Sequence, residues 1–451
     1  MSAAPASGPS DVLKAEANAK FKDGKYEEAI ALYTQAIEVF PTSVLYANRA
    51  FANLKLENYG AALLDADEAI TLDPFNVKAH YRHGTANIAL GKVRDARQDF
   101  EEALKIEPGN RDTRDKLEEV KKHEKQQKAE AFLRAMRRDD EPSASQQEGS
   151  LDPLSIAVEA SYTGPRLPDS GDVSAEFVKE LMEHLRSEKK LHKRYALQIV
   201  RRATEIFTRE CTVVEVTIPE GCEITVYGDV HGQYYDLLNT FDFNGVPSAT
   251  NPVIFNGDFV DRGSFSVEII LVLLALKCCQ PKSVFLNRGN HETENMNKIY
   301  GFEGEVKAKL GMEYMRPFAD CFRAMPLSCV IDTKILVLHG GLFSQDGVTL
   351  DMMRKVNRFM EPPDAGIMTD MLWSDPQRAP GRSPSKRGVG IQFGPDVTKR
   401  FLDANNLKML IRSHECKDRG YEVRASPPLS SLRSCVAVQP HSCSTCRSPR
   451  M

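Results

Sequence analysis

The sequence predicts an α+β multidomain protein in which an all-α region of helical repeats precedes an α/β domain. Three observations predict this class. Residues 11–111 repeat themselves at a fixed interval, a very polar segment follows them, and the second half alternates short apolar runs with polar motifs. The chain has 451 residues, of which 41% are apolar and 27% charged, so it can bury more than one core.

Composition excludes several classes of protein. The 59 Lys and Arg residues are nearly balanced by 63 Asp and Glu, so we expect no bulk basic surface for nucleic acid or anionic membrane. The most apolar run, 267–279, contains Glu268 and Lys277 and is too short to span a bilayer. The N-terminus does not resemble a secretory signal, and the ten cysteines do not form a disulfide framework. We therefore expect a cytoplasmic and nuclear protein.

Small residues and prolines recur through the N-terminal part at a shift of 33 or 34 positions. The recurring sets are Ala29, Ala36 and Pro41, then Ala62, Ala69 and Pro74, then Ala96, Ala103 and Pro108. The small residues allow paired helices to approach closely, and each proline is expected to end the second helix of its repeat. This pattern resembles the tetratricopeptide repeat, for which three copies are about the minimum for a stable stack.

Basic and amide side chains fall on the first helix of each repeat. They are Lys14 and Asn18, then Asn48 and Lys55, then Lys78 and Arg82. Converging from three repeats, such groups would bind an anion and hold an extended peptide, although helical repeats also carry many solvated lysines. The set resembles the carboxylate clamp of this repeat family, which implies the acidic C-terminal tails of heat-shock chaperones 90 and 70 as partners.

Polar motifs end the apolar runs of the second half: ITVYGDVHG, PVIFNGDFVDRG, SVFLNRGNHE, KILVLHGG and LIRSHE. Ligands collect at the carboxyl ends of strands in α/β sheets. The candidate donors there are Asp229, His231, Asp258, Asn290, His339 and His414. Oxygen and imidazole donors without thiolate favour a pair of divalent ions over one structural zinc, with Asp258 as the bridge. Two such ions can hold a hydroxide that attacks a phosphate ester.

In this order, GDVHG, GDFVDRG, GNHE, HGG, KRG and RSHE resemble the serine/threonine protein phosphatases of the metallophosphoesterase superfamily. The repeats upstream resemble those members that carry a tetratricopeptide array, and the resemblance covers about 11–423. It implies hydrolysis of phosphoserine and phosphothreonine in phosphoproteins, by a β-sandwich that holds two divalent ions. Manganese is expected in vitro, with iron, zinc or magnesium as alternatives.

The resemblance also implies the domain boundaries. They are a disordered N-terminus at 1–10, three repeats at 11–111, a capping helix at 112–138, a linker at 139–165, the catalytic domain at 166–424 and an atypical disordered tail at 425–451.

The resemblance implies a role for each site residue. One metal would be held by Asp229, His231 and Asp258, and the other by Asp258, Asn290, His339 and His414. His291 would protonate the leaving oxygen, with Asp261 orienting its imidazole. Arg262, Arg387 and Asn290 would bind the phosphoryl group. Taken alone, His291 is equally consistent with a surface histidine, and Arg387 with a solvated residue of a basic loop.

Regulation by the repeats is a further implication of the resemblance. The repeats would cover the catalytic cleft until a chaperone tail or a lipid occupies them. Glu57 would reach the active site and mimic the phosphate charge for Arg262. The alternative is a surface glutamate at a helix turn.

The resemblance ends after Val423. The tail that follows is rich in Ser, Pro, Arg and Cys and, apart from a short CVAV run, lacks the pattern of a strand or helix. Loss of the family's remaining strands would destabilise the sandwich. A second function is therefore open: a chaperone-binding scaffold or decoy with an impaired catalytic domain. A nucleotide-cleaving activity is disfavoured by the DRG arginine and the repeats.

Overall fold

The computed structural model describes residues 8–136, 151–415, 417, 420, 422–423 and 437–438. They belong to two compact units. The first unit contains 8–136 and the segment 385–389, and the second contains the other described residues. The N-terminus was predicted to be disordered at 1–10. Residues 1–7 lie outside the described residues, and Pro9 and Ser10 begin a helix, so the prediction is wrong for these two. None of the described helices combines the length and apolar character needed to cross a bilayer.

The first unit is built from three helical hairpins and a longer final helix. The helices are α1 Pro9–Lys22, α2 Tyr26–Val39, α3 Ser43–Lys55, α4 Tyr59–Leu72, α5 Val77–Ala89, α6 Val93–Ile106 and α7 Arg111–Met136. As predicted, α2, α4 and α6 each end two residues before a proline, because the residue that precedes proline avoids the helical conformation. The helix α7 corresponds to the predicted capping helix 112–138 and has nearly the same bounds.

The small residues of the repeats lie where the paired helices touch. Ala29, Ala62 and Ala96 are completely buried. At Gly84 an added Cβ would lie 2.9 Å from the ring of Phe100. A larger side chain at any of these positions would separate the helices, so the predicted close approach is confirmed.

The second unit contains ten helices and eleven strands among its described residues. The helices are α8 Ala175–Arg186, α9 Lys193–Arg209, α10 Tyr234–Asn244, α11 Ser266–Cys279, α12 Glu294–Tyr300, α13 Phe302–Lys309, α14 Met315–Ala324, α15 Leu350–Arg354, α16 Ile367–Trp373 and α17 Pro395–Ala404. The strands are β1 Val213–Val216, β2 Thr225–Tyr227, β3 Val253–Phe255, β4 Val284–Leu286, β5 Ser328–Ile331, β6 Ile335–Leu338, β7 Asp375–Pro376, β8 Arg382–Pro384, β9 Ile391–Phe393, β10 Met409–Arg412 and β11 Ala437–Val438.

Two four-stranded sheets form the predicted sandwich. Their strand orders are β1-β5-β6-β10 and β11-β2-β3-β4, and a small sheet β7-β9-β8 lies apart from them. Apolar side chains from both sheets, including Val226, Ile254 and Val337, form one buried cluster between them. Helices α8 to α11, α13 and α14 contribute to a second, larger core that packs against β2, β3 and β4. These three strands are parallel and in register, so their carboxyl ends lie at one edge.

Two segments differ from the sequence-based expectation. The predicted linker extends to residue 165, but Leu151, Ile156 and Tyr162 pack against the larger core, so that assignment is wrong beyond residue 150. Scattered apolar residues in a polar segment gave no periodic signal of this packing. Within the predicted tail, Ala437 and Val438 of the CVAV run pair in parallel with β2. The other residues of the tail lie outside the described residues.

Candidate active site

The predicted metal donors follow the ends of neighbouring strands. Asp229 and His231 come after β2, Asp258 after β3, Asn290 after β4, His339 directly after β6 and His414 after β10. Parallel pairing brings the loops after β2, β3 and β4 to one edge, and β10 pairs in parallel with β6. The structure therefore gathers donors that are up to 185 positions apart, as the contact between the His414 backbone and the Asp229 carboxylate shows.

Asp258 lies at the centre of the cluster. Its Oδ2 is 3.6 Å from Nε2 of His231 and 3.3 Å from Nε2 of His339. Asp258 belongs to two groups of candidate metal donors. The first group also contains His231 and His291, and the second also contains His339 and His414. A carboxylate common to both groups is the arrangement expected of a bridging ligand.

The side-chain oxygen of Asn290 lies among other candidate donor atoms. The side-chain amide oxygen of Asn290 lies 2.9 Å from Nε2 of His339, and the same atom is about 3 Å from Nδ1 of His414 and close to the Asp258 carboxylate. Such a position favours an amide oxygen where the neighbouring atoms carry protons or share a cation with it. The arrangement fits a metal site, and these residues would hold the ion.

Asp229 contacts both histidines of the second group. Its Oδ1 is 3.8 Å from Nδ1 of His339 and accepts the backbone N–H of His414 at 3.4 Å. Burial raises the pKa of Asp229 to about 6, and the nearby charge of Asp258 adds to this, while His339 opposes it. A divalent cation would relieve the repulsion between these two carboxylates.

Burial and neighbouring charges together set the protonation states of the cluster. Burial lowers the pKa of His231 to about 3, so this imidazole is neutral near pH 7. Burial alone would raise the pKa of Asp258, but the charge of His339 outweighs it and holds that pKa well below its usual value. Burial opposes protonation of His339, but the charges of Asp258 and Asp229 raise its pKa to about 9, so a cation that binds here would displace this proton.

His291 and Asp261 form a completely buried pair. Nδ1 of His291 lies 2.8 Å from Oδ2 of Asp261, whose other oxygen accepts the backbone N–H of Phe302 at 2.9 Å. The backbone N–H of His291 donates to Oδ1 of Asp258 at 2.9 Å. The alternative of a surface histidine is wrong, because the fold holds the ring between a carboxylate and the donor cluster.

Several of these residues have left-handed backbone conformations. The φ angles are 43° at His231, 55° at Asp258, 72° at Asp261, 66° at Arg262 and 71° at His414. Such conformations are costly for residues other than glycine, and they persist only where the surroundings enforce them. Their concentration in the loops after β2, β3 and β10 marks these loops as the functional part of the sandwich.

Two buried residues that position the donors were not assigned a role from the sequence. The Glu292 carboxylate accepts the backbone N–H groups of Asp258, Phe259 and Gly289 at 2.8–2.9 Å. The carbonyl oxygen of Asn256 lies 2.8 Å from Nδ1 of His339. Glu292 belongs to the GNHE motif, so the motif was the signal for it, whereas nothing in the sequence distinguished Asn256.

The two predicted phosphate-binding arginines have different surroundings. Arg262 is exposed and directly follows Asp261, with its backbone N–H donating to the carbonyl oxygen of Tyr300 at 3.1 Å. Arg387 belongs to the segment 385–389 of the first unit and is 6% exposed, so the solvated alternative is wrong.

Glu57 is 2% exposed, so the alternative of a surface glutamate is also wrong. Its Oε2 lies 3.8 Å from Nη1 of Arg387 within the first unit. The family resemblance predicted Arg262 as the arginine for this carboxylate, and within the first unit the carboxylate contacts Arg387.

Four of the six predicted clamp residues are linked by contacts. Oδ1 of Asn18 accepts from the Tyr33 hydroxyl at 2.6 Å and from Nδ2 of Asn48 at 3.4 Å. Oδ1 of Asn48 in turn accepts from Nη1 of Arg82 at 3.4 Å. The cations of Arg82 and Lys55 both lie over the ring of Phe51.

The remaining two clamp residues lie on the predicted helices. Lys14 on α1 forms an ion pair with Asp11 at 2.6 Å, and Lys78 on α5 is exposed. Burial lowers the pKa of Arg82 to about 10, which leaves its guanidinium charged at neutral pH. The first helices of the three repeats therefore present cations and amides along one series of contacts.

Comparison with known proteins identifies the class of protein that this fold and site define. The family model for calcineurin-like phosphoesterases matches residues 223–418, and that for the tetratricopeptide repeat matches 14–77 and 48–111. A model for the PPP5 TPR repeat region matches 120–215. The chain thus joins tetratricopeptide repeats to a metallophosphatase domain.

Comparison with individual relatives shows to which family of metallophosphatases the chain belongs. Human serine/threonine-protein phosphatase 5 is 52% identical over 412 residues, which cover 91% of this chain and 81% of the relative. Serine/threonine-protein phosphatase T of Aspergillus oryzae is 47% identical over 414 residues, covering 91% and 85%. A solved protein serine/threonine phosphatase from Saccharomyces cerevisiae, with similarity to human phosphatase PP5, gives a TM-score of 0.53 at 43% identity, covering 54% of this chain and 78% of that one. The chain belongs to the serine/threonine-protein phosphatase 5 family.

Proposed function

We propose that this chain hydrolyses phosphoserine and phosphothreonine in proteins with the help of two divalent cations. The observation that carries the proposal is the Asp258 carboxylate, which is common to two groups of buried donors. When bound there, the cations supply Lewis-acid activation of water and of the phosphoryl group. Asp229 and Asn290 complete the donor set.

The chain's own residues perform the proton transfer and the binding. Asp261 accepts the Nδ1 proton of His291, so the second ring nitrogen is left to hold the proton that the leaving oxygen needs. Arg262, an exposed residue, would bind phosphoryl oxygens through its guanidinium. Burial of the His291–Asp261 pair keeps this geometry fixed before substrate binds.

The test compares Asp258→Ala with Asp364→Ala, a change at an exposed aspartate. Purified full chains are assayed with Mn²⁺ on p-nitrophenyl phosphate and on a phosphoserine peptide. We expect turnover by the unmodified chain and by Asp364→Ala, and none above the enzyme-free rate by Asp258→Ala. Absence of turnover by the unmodified chain would favour the scaffold or decoy function, and preference for nucleotides in a substrate panel would contradict the protein specificity.

We propose further that the clamp residues bind acidic C-terminal peptides of heat-shock chaperones. The support is the linked series Asn18, Asn48 and Arg82, with Lys55 beside it. Amides and cations in series suit a peptide that ends in carboxylates. Arg82→Ala should weaken binding about 10- to 100-fold in calorimetry, because hydrogen bonds to charged groups are worth about 1.5–3 kcal/mol.

Arg111→Ala is the matched control for the clamp, since Arg111 is exposed on α7. It should bind as the unmodified chain does. An amidated peptide should bind poorly to both, because amidation removes the C-terminal charge. Equal binding of the free and the amidated peptide would contradict the clamp.

We propose also that Glu57 restrains catalysis. Its support is the buried contact with Arg387, a residue that the family resemblance assigns to phosphate binding. Glu57→Ala should raise the basal rate and reduce the further activation by chaperone peptide or lipid, whereas Glu38→Ala, at an exposed position of α2, should do neither. An unchanged basal rate in Glu57→Ala would contradict the restraint.

Activation by lipid and the cytoplasmic and nuclear location stay predictions.

A further inference from the structure

Asn297 contacts both members of the buried His291–Asp261 pair. It lies on α12 and is completely buried. Its Nδ2 donates to Oδ2 of Asp261 at 3.2 Å and to the backbone carbonyl oxygen of His291 at 2.7 Å. The carboxylate oxygen that it contacts is the one that holds Nδ1 of His291.

The other half of the Asn297 amide is not satisfied. Its Oδ1 is buried and has no hydrogen-bond partner among the described residues. Burying an unpaired polar atom costs about 1–3 kcal/mol. Stability alone therefore does not account for an asparagine at position 297. The notable feature of this residue is that both of its N–H groups donate to the His291–Asp261 pair.

We propose that Asn297 is a positioning residue for His291. One N–H fixes the orientation of the Asp261 carboxylate, and the other fixes the backbone from which the His291 ring projects. Together they set the direction in which the second ring nitrogen presents its proton. The inference rests on the proposed function, because it assumes that His291 is the acid for the leaving oxygen.

The step that depends on this direction is the departure of the seryl or threonyl oxygen. As its bond to phosphorus breaks, this oxygen takes the electron pair and the proton from His291. Water forms the new bond to phosphorus, and the proton that it gives up restores His291. An alkoxide is a poor leaving group, whereas p-nitrophenolate leaves as a stable anion and needs little protonation.

The experiment uses this difference in leaving group. Asn297→Leu keeps the branching and the number of side-chain heavy atoms but removes both donors, and Asn297→Asp keeps the shape but places oxygens against acceptors. For both variants we expect kcat on a phosphoserine peptide to fall about 10- to 100-fold and kcat on p-nitrophenyl phosphate to fall less than about threefold. KM should be unchanged, since the buried amide does not face substrate.

A matched control separates positioning from structural damage. Asn405 also donates through Nδ2 to two backbone carbonyls, those of Val348 and Phe401, at 3.1 and 3.0 Å. Asn405→Leu should leave the ratio of the two activities unchanged even if it lowers the melting temperature. Equal losses on both substrates in the Asn297 variants, with metal content and melting temperature preserved, would overturn the inference.

A double variant distinguishes this failure from a failure of the proposed function. If Asn297 acts through His291, Asn297→Leu should cause no further loss on the phosphopeptide in a His291→Ala background. A further loss there would overturn the inference. Full phosphopeptide turnover by His291→Ala alone would instead overturn the acid role on which the inference rests.

Discussion

The carboxylate of Glu292 accepts the backbone N–H of Asp258 at 2.8 Å, and both residues are almost completely buried. Through this contact the loop after β4 holds the loop after β3. The same carboxylate accepts from Gly289, at which an added methyl group would collide with the Asp258 side chain. The Asp258 carboxylate, which we propose as the bridge, is therefore positioned by a residue that is not itself a predicted ligand.

Glu292→Gln should weaken metal binding without removing a ligand. The amide of glutamine presents an N–H group to three N–H donors, so the Asp258 loop loses at least one hydrogen bond. Residues behind the ligands typically contribute 10- to 100-fold to metal affinity. We expect the Mn²⁺ concentration for half-maximal hydrolysis of p-nitrophenyl phosphate to rise by about this factor. Glu313→Gln, at an exposed position, should not shift it, and an unshifted Glu292→Gln would contradict the positioning role.

Removal of metal should lower the stability of the second unit. A ligand that binds only the folded state stabilises it by about 2.7 kcal/mol at a concentration of 100 times its Kd. Chelator-treated chain should lose activity, recover it with Mn²⁺, and show a higher unfolding midpoint when Mn²⁺ is present. Asp258→Ala should show a much smaller shift. An equal shift in that variant would place the bound metal elsewhere.

Lys277 should stabilise the second unit by a buried ion pair. Its Nζ lies 2.5 Å from Oε1 of Glu210 and donates to the carbonyl oxygens of Pro281 and Val284. Lys277→Met leaves these acceptors unpaired, which should cost about 3 kcal/mol in the free energy of unfolding. Urea unfolding followed by the single tryptophan, Trp373, reports on this unit. Lys282→Met, at an exposed position, should change the free energy of unfolding little, and similar values for both variants would contradict the assignment.

The first unit should lose stability as pH rises through the raised pKa of His83 in the folded state. Burial lowers the pKa of His83, but Asp99, at 2.8 Å from Nδ1, and the charges of Asp67 and Asp95 outweigh it, so this pKa is raised. The folded state then binds more protons than the unfolded state between the two pKa values. The contribution of His83 is complete below its unfolded pKa and is lost as pH rises through its folded pKa.

Hydrogen exchange of the α5 amides in the full chain, corrected for the intrinsic rate, measures this effect. The free energy of opening should fall across that pH interval in the unmodified chain. In His83→Gln it should be nearly independent of pH. If the free energy of opening in the unmodified chain rose with pH, the raised pKa of His83 would be contradicted.

Much of this molecule was predictable from local patterns. The repeat period of the alanines and prolines determined the helical hairpins, because small residues and helix ends act within a few positions of themselves. The six candidate donors could be selected from the sequence because each follows a short apolar strand, and strand ends are where a sheet exposes ligands. Pairing of His291 with Asp261 came from the motif resemblance, and the structure places them 2.8 Å apart.

The sequence by itself determined the class of protein and the types of donor, since residue identity and order along the chain are enough for both. Only the tertiary structure decided which atoms meet. Glu292 behind Asp258, Asn256 behind His339, Asn297 across the His291–Asp261 pair and Arg387 beside Glu57 are contacts between loops far apart in the chain. Such contacts have no periodicity along a sequence, because they arise from the packing of whole sheets and helices against one another.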